Sequence, residues 1–167
     1  LVKARALAAD QLFATLDTTT RALWLSDEAG SVSLSDTVGF IRDLPHSLVD
    51  AFHATLEAAT DADVLLHVVD SASHARDEQM TEVNKVLQEI GANDVRQLIV
   101  WNKIDLTEAA AGVERDEYGN IARVRVSARS GEGLELLRES LAEYARAKAE
   151  SRQEALAAAA REAQPIT

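Results

Sequence analysis

The chain has 167 residues, with 17 Lys and Arg against 28 Asp and Glu for a net charge of −11; 47% of its residues are apolar and none is cysteine. This is the composition of a globular chain, and it excludes a disordered chain, a disulfide framework and Cys-ligated zinc or iron–sulfur centres. The acidity argues against sequence-independent binding to nucleic-acid phosphates, and so against direct DNA binding, because such binding needs a basic stripe.

The length predicts one domain. Residues 1–9 (LVKARALAA) read as the tail of a helix, and residues 10–20 as a loop carrying four threonines and two aspartates. Arg21–Ser26 and Ser31–Ser35 alternate around Asp27-Glu28-Ala29-Gly30, which is the pattern of a β-hairpin. Residues 36–46 form a loop punctuated by Gly39 and Pro45. Ser47 opens a helix over residues 47–60, with Leu48, Val49, Phe52, Leu56 and Ala59 on one face.

Val64–Val69 is a short apolar run between Asp63 and Asp70 and reads as a buried strand, with His67 a satisfied core histidine. It is far shorter than the roughly 20 residues of a membrane span. Helical period returns over residues 76–91 through Met80, Val83, Val86, Leu87 and Ile90, with Gly91 at the C-cap. Gln97–Trp101 is a second buried strand. Residues 107–120 read as an irregular acidic excursion, with Glu114, Asp116 and Glu117 solvated. Ile121–Val126 alternates as a strand, with Arg123 and Arg125 on one solvated face. Residues 132–149 form a helix with Leu134, Leu137, Leu141 and Tyr144 inward, and the Ala-rich stretch from Glu150 is a helical extension or a linker. Trp24 and Trp101 read as packing residues, and His46, His53 and His74 show no metal-ligand spacing with one another.

After the first hairpin, strands and helices alternate, which predicts a mostly parallel sheet with helices on both faces. Ligands of such sheets sit beyond the carboxyl ends of the strands. Three clusters lie there. Asn102-Lys103-Ile104-Asp105 follows the strand ending at Trp101. A carboxylate at Asp105 can accept from the ring N–H and the exocyclic amino group of guanine, donors that adenine does not offer together. Asn102 would tie adjacent loops, and the Lys103 stem could cover one face of the base. Alone, the cluster serves equally as a cap after a strand. Ser127-Ala128-Arg129-Ser130-Gly131-Glu132-Gly133 follows the next strand, and its small residues let backbone N–H groups approach a ring oxygen; alone it is a plain glycine turn. Asp36-Thr37-Val38-Gly39 follows the hairpin. Its aspartate suits Mg²⁺ held through water, and its glycine leaves a backbone N–H open to a terminal phosphate.

In chain order the three clusters, each after a strand, make the arrangement of a P-loop GTPase. Phe13-Ala14-Thr15-Leu16-Asp17, then Asp36 to His46 (DTVGFIRDLPH), then Asn102-Lys103-Ile104-Asp105 closely resemble the HflX family of bacterial ribosome-associated GTPases, over residues 1–145. The resemblance implies a GTP-binding protein that hydrolyses GTP with Mg²⁺, cycles between GTP and GDP, and works in the cytoplasm with the large ribosomal subunit and with no membrane. By the same resemblance Phe13–Asp17 is the first switch, with Thr15 the Mg²⁺ ligand and Thr19 the second candidate, because Thr18 stands where the family usually has a proline. Asp36, Thr37, Val38 and Gly39 form the second switch. Asn102, Lys103, Ile104 and Asp105, supported by Ser127, Ala128 and Arg129, read guanine. Phe40 follows Gly39 where some GTPases carry a water-orienting glutamine, so slow intrinsic hydrolysis is expected.

The pattern G-x-x-x-x-G-K-[ST] does not occur, and none of the seven glycines is followed by lysine. That loop supplies the phosphate cradle and its lysine. With Leu1 opening the chain, the sequence reads as a partial GTPase domain over residues 1–149, truncated before the second strand, followed by the extension at 150–167. Weak nucleotide binding and poor folding of this segment alone are the expectations. Competing readings are a translation-factor-type GTPase in ribosome assembly or tRNA modification, a non-catalytic interaction module with the same fold, and a receiver or flavodoxin-like domain. The last has no use for the Asn102–Asp105 cluster.

Overall fold

The alternation at Leu23, Leu25, Val32 and Leu34 folds into an antiparallel hairpin, β1 (Thr19–Ser26) and β2 (Gly30–Asp36), in a computed structural model that describes residues 19–36 and 58–162. Gly30 takes φ +68° at the turn, and the Ser26 hydroxyl accepts the Ala29 N–H at 3.0 Å. The strands are longer than expected. Thr19 and Thr20 pair with Asp36 and Ser35, and the Thr20 and Ser35 hydroxyls meet at 2.7 Å. β-Branched threonines suit a pleated surface, which explains why Thr19 and Thr20 belong to the strand. Leu23 and Leu25 face the core, so the two-residue period turns Trp24 outward, where it is 54% exposed. That corrects its reading as a packing residue.

The main sheet has the order β3-β4-β6-β5, built from β3 (Leu65–Asp70), β4 (Gln97–Asn102), β5 (Gly112–Arg115) and β6 (Ile121–Arg125). β3, β4 and β6 run parallel, and β5 closes one edge antiparallel to β6. Helices α1 (Arg76–Glu89) and α2 (Leu134–Glu162) cover opposite faces. Leu98, Val100, Val124 and Val126 meet Leu137, Leu141 and Ala142 of α2, with Leu23 and Leu25 of the hairpin closing the same core. On the other face Leu87 of α1 packs with Ala59, Ala92 and Leu65. α1 ends in a Schellman motif: Gly91 at φ +75° donates to the Gln88 carbonyl at 3.1 Å, and Ala92 donates to Leu87 at 2.7 Å. α2 runs without a break past residue 150, and its residues 146–161 are exposed.

Three further expectations change. Within β3 only Val69 is buried and Val68 is 61% exposed, because β3 is an edge of the sheet among the described residues. The acidic excursion contains β5, and its Glu114 is not a solvated acid. It pairs with Arg123 at 3.0 Å and with Arg125. Gly112 makes room for this arrangement, since a Cβ there would lie 2.6 Å from an Arg125 guanidinium nitrogen. Arg123 and Arg125 are therefore half-buried ion-pair partners and not a solvated face. No helix among the described residues is long and apolar enough to cross a membrane. The helix expected over residues 47–60 falls outside the described residues except for a last turn at 58–60.

Candidate functional site

Parallel registration brings three chain segments to one rim of the sheet. Asp70 ends β3 directly beside Asn102 at the end of β4, and Val126 N–H donates to the Trp101 carbonyl at 2.8 Å to bring the segment after β6 alongside. The chain then leaves β4 abruptly. Lys103 takes φ +66° and ψ +34°, and a 3₁₀ turn, Ile104–Leu106, follows. A left-handed lysine costs about 1–2 kcal/mol, so its surroundings must hold it. Ile104, only 2% exposed, anchors the turn in the core, and its N–H reaches the Val126 carbonyl at 3.3 Å.

Asp105 and Ser127 join the two loops. The Ser127 hydroxyl donates to Asp105 Oδ1 at 2.6 Å and accepts the Ser130 N–H at 3.1 Å. Ser127 is fully buried, so its hydroxyl has no water alternative. The other Asp105 oxygen lies 4.0 Å from the Arg129 guanidinium, whose side chain is well exposed. Asn102 Oδ1 accepts the Ala128 N–H at 2.9 Å, so Asn102 ties the adjacent loops as its position suggested. The same bond engages one of the backbone N–H groups of the Ser127–Gly133 loop. Gly131 and Gly133, at φ +87° and +76°, shape the return into α2. A Cβ at Gly133 would strike the Arg125 carbonyl oxygen.

Two residues that the sequence did not single out complete the rim. Asp70 Oδ2 accepts from Lys103 Nζ at 2.6 Å, and Asp70 Oδ1 accepts the Ala72 N–H at 3.0 Å. The Lys103 ammonium, aided by that N–H, holds the Asp70 carboxyl below the usual carboxylate range. Ser71 donates both its N–H, at 2.9 Å, and its hydroxyl, at 2.7 Å, to the Asn102 carbonyl. An acid directly after an apolar strand, beside the strand carrying the Asn102 cluster, was the signal available. Below the rim the Arg76 and Arg123 guanidiniums lie over the Trp101 ring, 4.7 and 3.8 Å from its centroid, which bears out its packing role.

Asp36 stands at the end of β2. Phe13, Ala14, Thr15, Leu16 and Asp17, and likewise Thr37, Val38, Gly39 and Phe40, lie outside the described residues. Among the described residues no group of three His, Cys, Asp or Glu could hold a metal ion. A single carboxylate such as Asp36 does not make a resident metal site. It fits a Mg²⁺ held chiefly by phosphates and waters.

Residues 1–103 match the sequence profile of the family described as 50S ribosome-binding GTPase. GTPase HflX of Escherichia coli strain K12 is 47% identical over 144 residues, covering 86% of this chain and 34% of that protein. GTPase HflX of Magnetococcus marinus is 51% identical over 137 residues, covering 82% of this chain and 31% of the relative. The chain thus spans about a third of the length of these relatives. A crystal structure of a GTP-binding protein from the hyperthermophilic archaeon Sulfolobus solfataricus, in complex with GDP, matches with a TM-score of 0.61 at 30% identity, over 76% of this chain and 44% of that one. The sheet with helices on both faces is accordingly the α/β fold of a P-loop GTPase.

Proposed function

We propose, from the premise that this chain belongs to the 50S ribosome-binding GTPase family and within it to the HflX group, that its Asn102–Asp105 and Ser127–Arg129 loops bind the base of GTP and GDP. The observation that carries this is the 2.6 Å bond from Ser127 to Asp105. It fixes one carboxylate oxygen from below and aims the group, so that the carboxylate can accept from the N1–H and 2-amino donors of guanine. Adenine presents no such pair, and a site built to hydrogen-bond a missing group rejects the analogue by roughly 10⁴–10⁵. Asn102 fixes the spacing between the two loops, and the aliphatic stem of Lys103 lies over the base plane.

Hydrolysis of GTP is the activity proposed for the whole protein. Bound Mg²⁺ would neutralise charge on the phosphates, with Asp36 reaching it through water and Thr15 as a direct ligand. A phenyl ring at Phe40 cannot orient water, so intrinsic hydrolysis is slow and another group or a partner accelerates it. The family description and the resemblance support the large ribosomal subunit in that role, through parts of the protein beyond the guanine-reading rim. The cytoplasm is the place of action this partner requires.

Phosphate release from GTP and from ATP by the complete gene product, with and without large ribosomal subunits, tests the reading. Slow release from GTP alone, stimulated by the subunit and absent with ATP, is the expected result. Equal release from ATP contradicts it.

A further inference from the structure

Resting on the guanine reading, we infer that Asp70 is a positioning residue for Lys103: the carboxylate at the end of β3 holds the lysine so that its stem lies across the base plane. Four observations converge on this. Asp70 and Asn102 are registered partners on neighbouring parallel strands, so the carboxylate sits one residue from the lysine it binds. The ammonium meets Asp70 Oδ2 at 2.6 Å, and the other carboxylate oxygen is fixed by the Ala72 N–H at 3.0 Å. The acid is thus oriented by its own turn before it engages the lysine. Lys103 holds a left-handed backbone that only a well-determined environment maintains. Finally, Ser71 delivers two donors to the Asn102 carbonyl, clamping the peptide that leads into Lys103.

Both charged side chains remain partly exposed, at 51% for Lys103 and 34% for Asp70, so as a simple surface ion pair this would add little to stability. Its effect is orientational. A lysine has four rotatable side-chain bonds, and a partner at its tip restricts them before the base arrives. The ordering cost of binding is correspondingly reduced.

A stem across the ring plane touches every purine alike, whereas Asp105 reads the 2-amino group. The two roles therefore separate by nucleotide. In the complete gene product, Asp70→Asn retains an acceptor for the Ala72 N–H and removes the charge that holds Lys103. GTP affinity is expected to fall about three- to tenfold, with inosine triphosphate, which lacks the 2-amino group, falling by the same factor, so that the ratio of the two is unchanged. Lys103→Met keeps a stem without the ammonium, and adding Asp70→Asn to it should cause no further loss. Asp70→Glu restores a carboxylate and should recover part of the affinity.

Unchanged GTP affinity in Asp70→Asn, or a full additional loss in the double variant, overturns the inference and leaves the guanine reading standing. A collapse of the GTP-to-inosine ratio also overturns it, since Asp70 would then support the loop as a whole. Absence of guanine preference in the unaltered protein overturns the guanine reading and the inference together.

Discussion

The Ser127 hydroxyl donates to Asp105 Oδ1 at 2.6 Å across 22 residues of sequence, from a side chain that solvent does not reach. Removing it leaves both Asp105 and the Ser130 N–H short of a partner. Ser127→Ala should lower unfolding free energy by about 1–2 kcal/mol in a urea titration. Preference for GTP over inosine triphosphate should narrow as well, because the carboxylate loses its aim. Retention of both stability and preference would mean that the bond is incidental.

Asp105→Asn exchanges an acceptor-only group for one that both donates and accepts. Guanine offers two donors on that edge, and xanthine offers a donor beside a carbonyl. The variant should therefore lose GTP by about 10³-fold or more and gain xanthosine triphosphate, measured by competition against a labelled nucleotide. Equal loss of both would point to a collapsed loop.

Gly133 and Gly119 both have positive φ, +76° and +81°, but differ in surroundings. A Cβ at Gly133 meets the Arg125 carbonyl and the Val126 Cα, whereas one at Gly119 meets nothing within 4 Å. Gly119→Ala should cost about 1 kcal/mol from its backbone conformation alone. Gly133→Ala should cost at least about 2–3 kcal/mol, because the Ser127–Gly133 loop must shift as well. Urea denaturation of the two variants side by side checks the difference.

His67 is half-buried, and its Nδ1 lies 3.2 Å from Gln97 Oε1; the Gln97 amide NH₂ is engaged by Asn84. Burial lowers its pKa below the ordinary 6.5, and the Gln97 bond opposes that only partly. The unfolded chain therefore binds the proton first as pH falls. Stability should be full above pH 6.5 and decline below it, until the folded histidine itself titrates. His67→Gln should remove this part of the decline. Urea midpoints of both proteins at pH 7.5 and near 5.5 measure it, and parallel curves would contradict it.

The sequence disclosed the parts of the site that lie just after apolar strands. Asn102, Asp105 and Ser127 were legible because polar residues follow the buried runs Gln97–Trp101 and Ile121–Val126 directly. It was less informative where pairing depends on distant partners. Strand β5 was hidden because Gly112 and Glu114 look like loop residues until Arg123 and Arg125 lie opposite them. Asp70 read as a strand flank, since only the parallel register of β3 with β4 puts it beside Lys103. Trp24 was misjudged because a hairpin's inward face is settled by what covers it, here Leu137 and Leu141 of α2.

The most direct test of the central claim is displacement of a fluorescent GTP analogue from the complete gene product in Mg²⁺, using unlabelled GTP, inosine triphosphate and ATP in turn. GTP should displace it at the lowest concentration, inosine triphosphate at a higher one, and ATP should not compete. Displacement by ATP as readily as by GTP would show that Asp105 and the loop it shares with Ser127 do not read a guanine base.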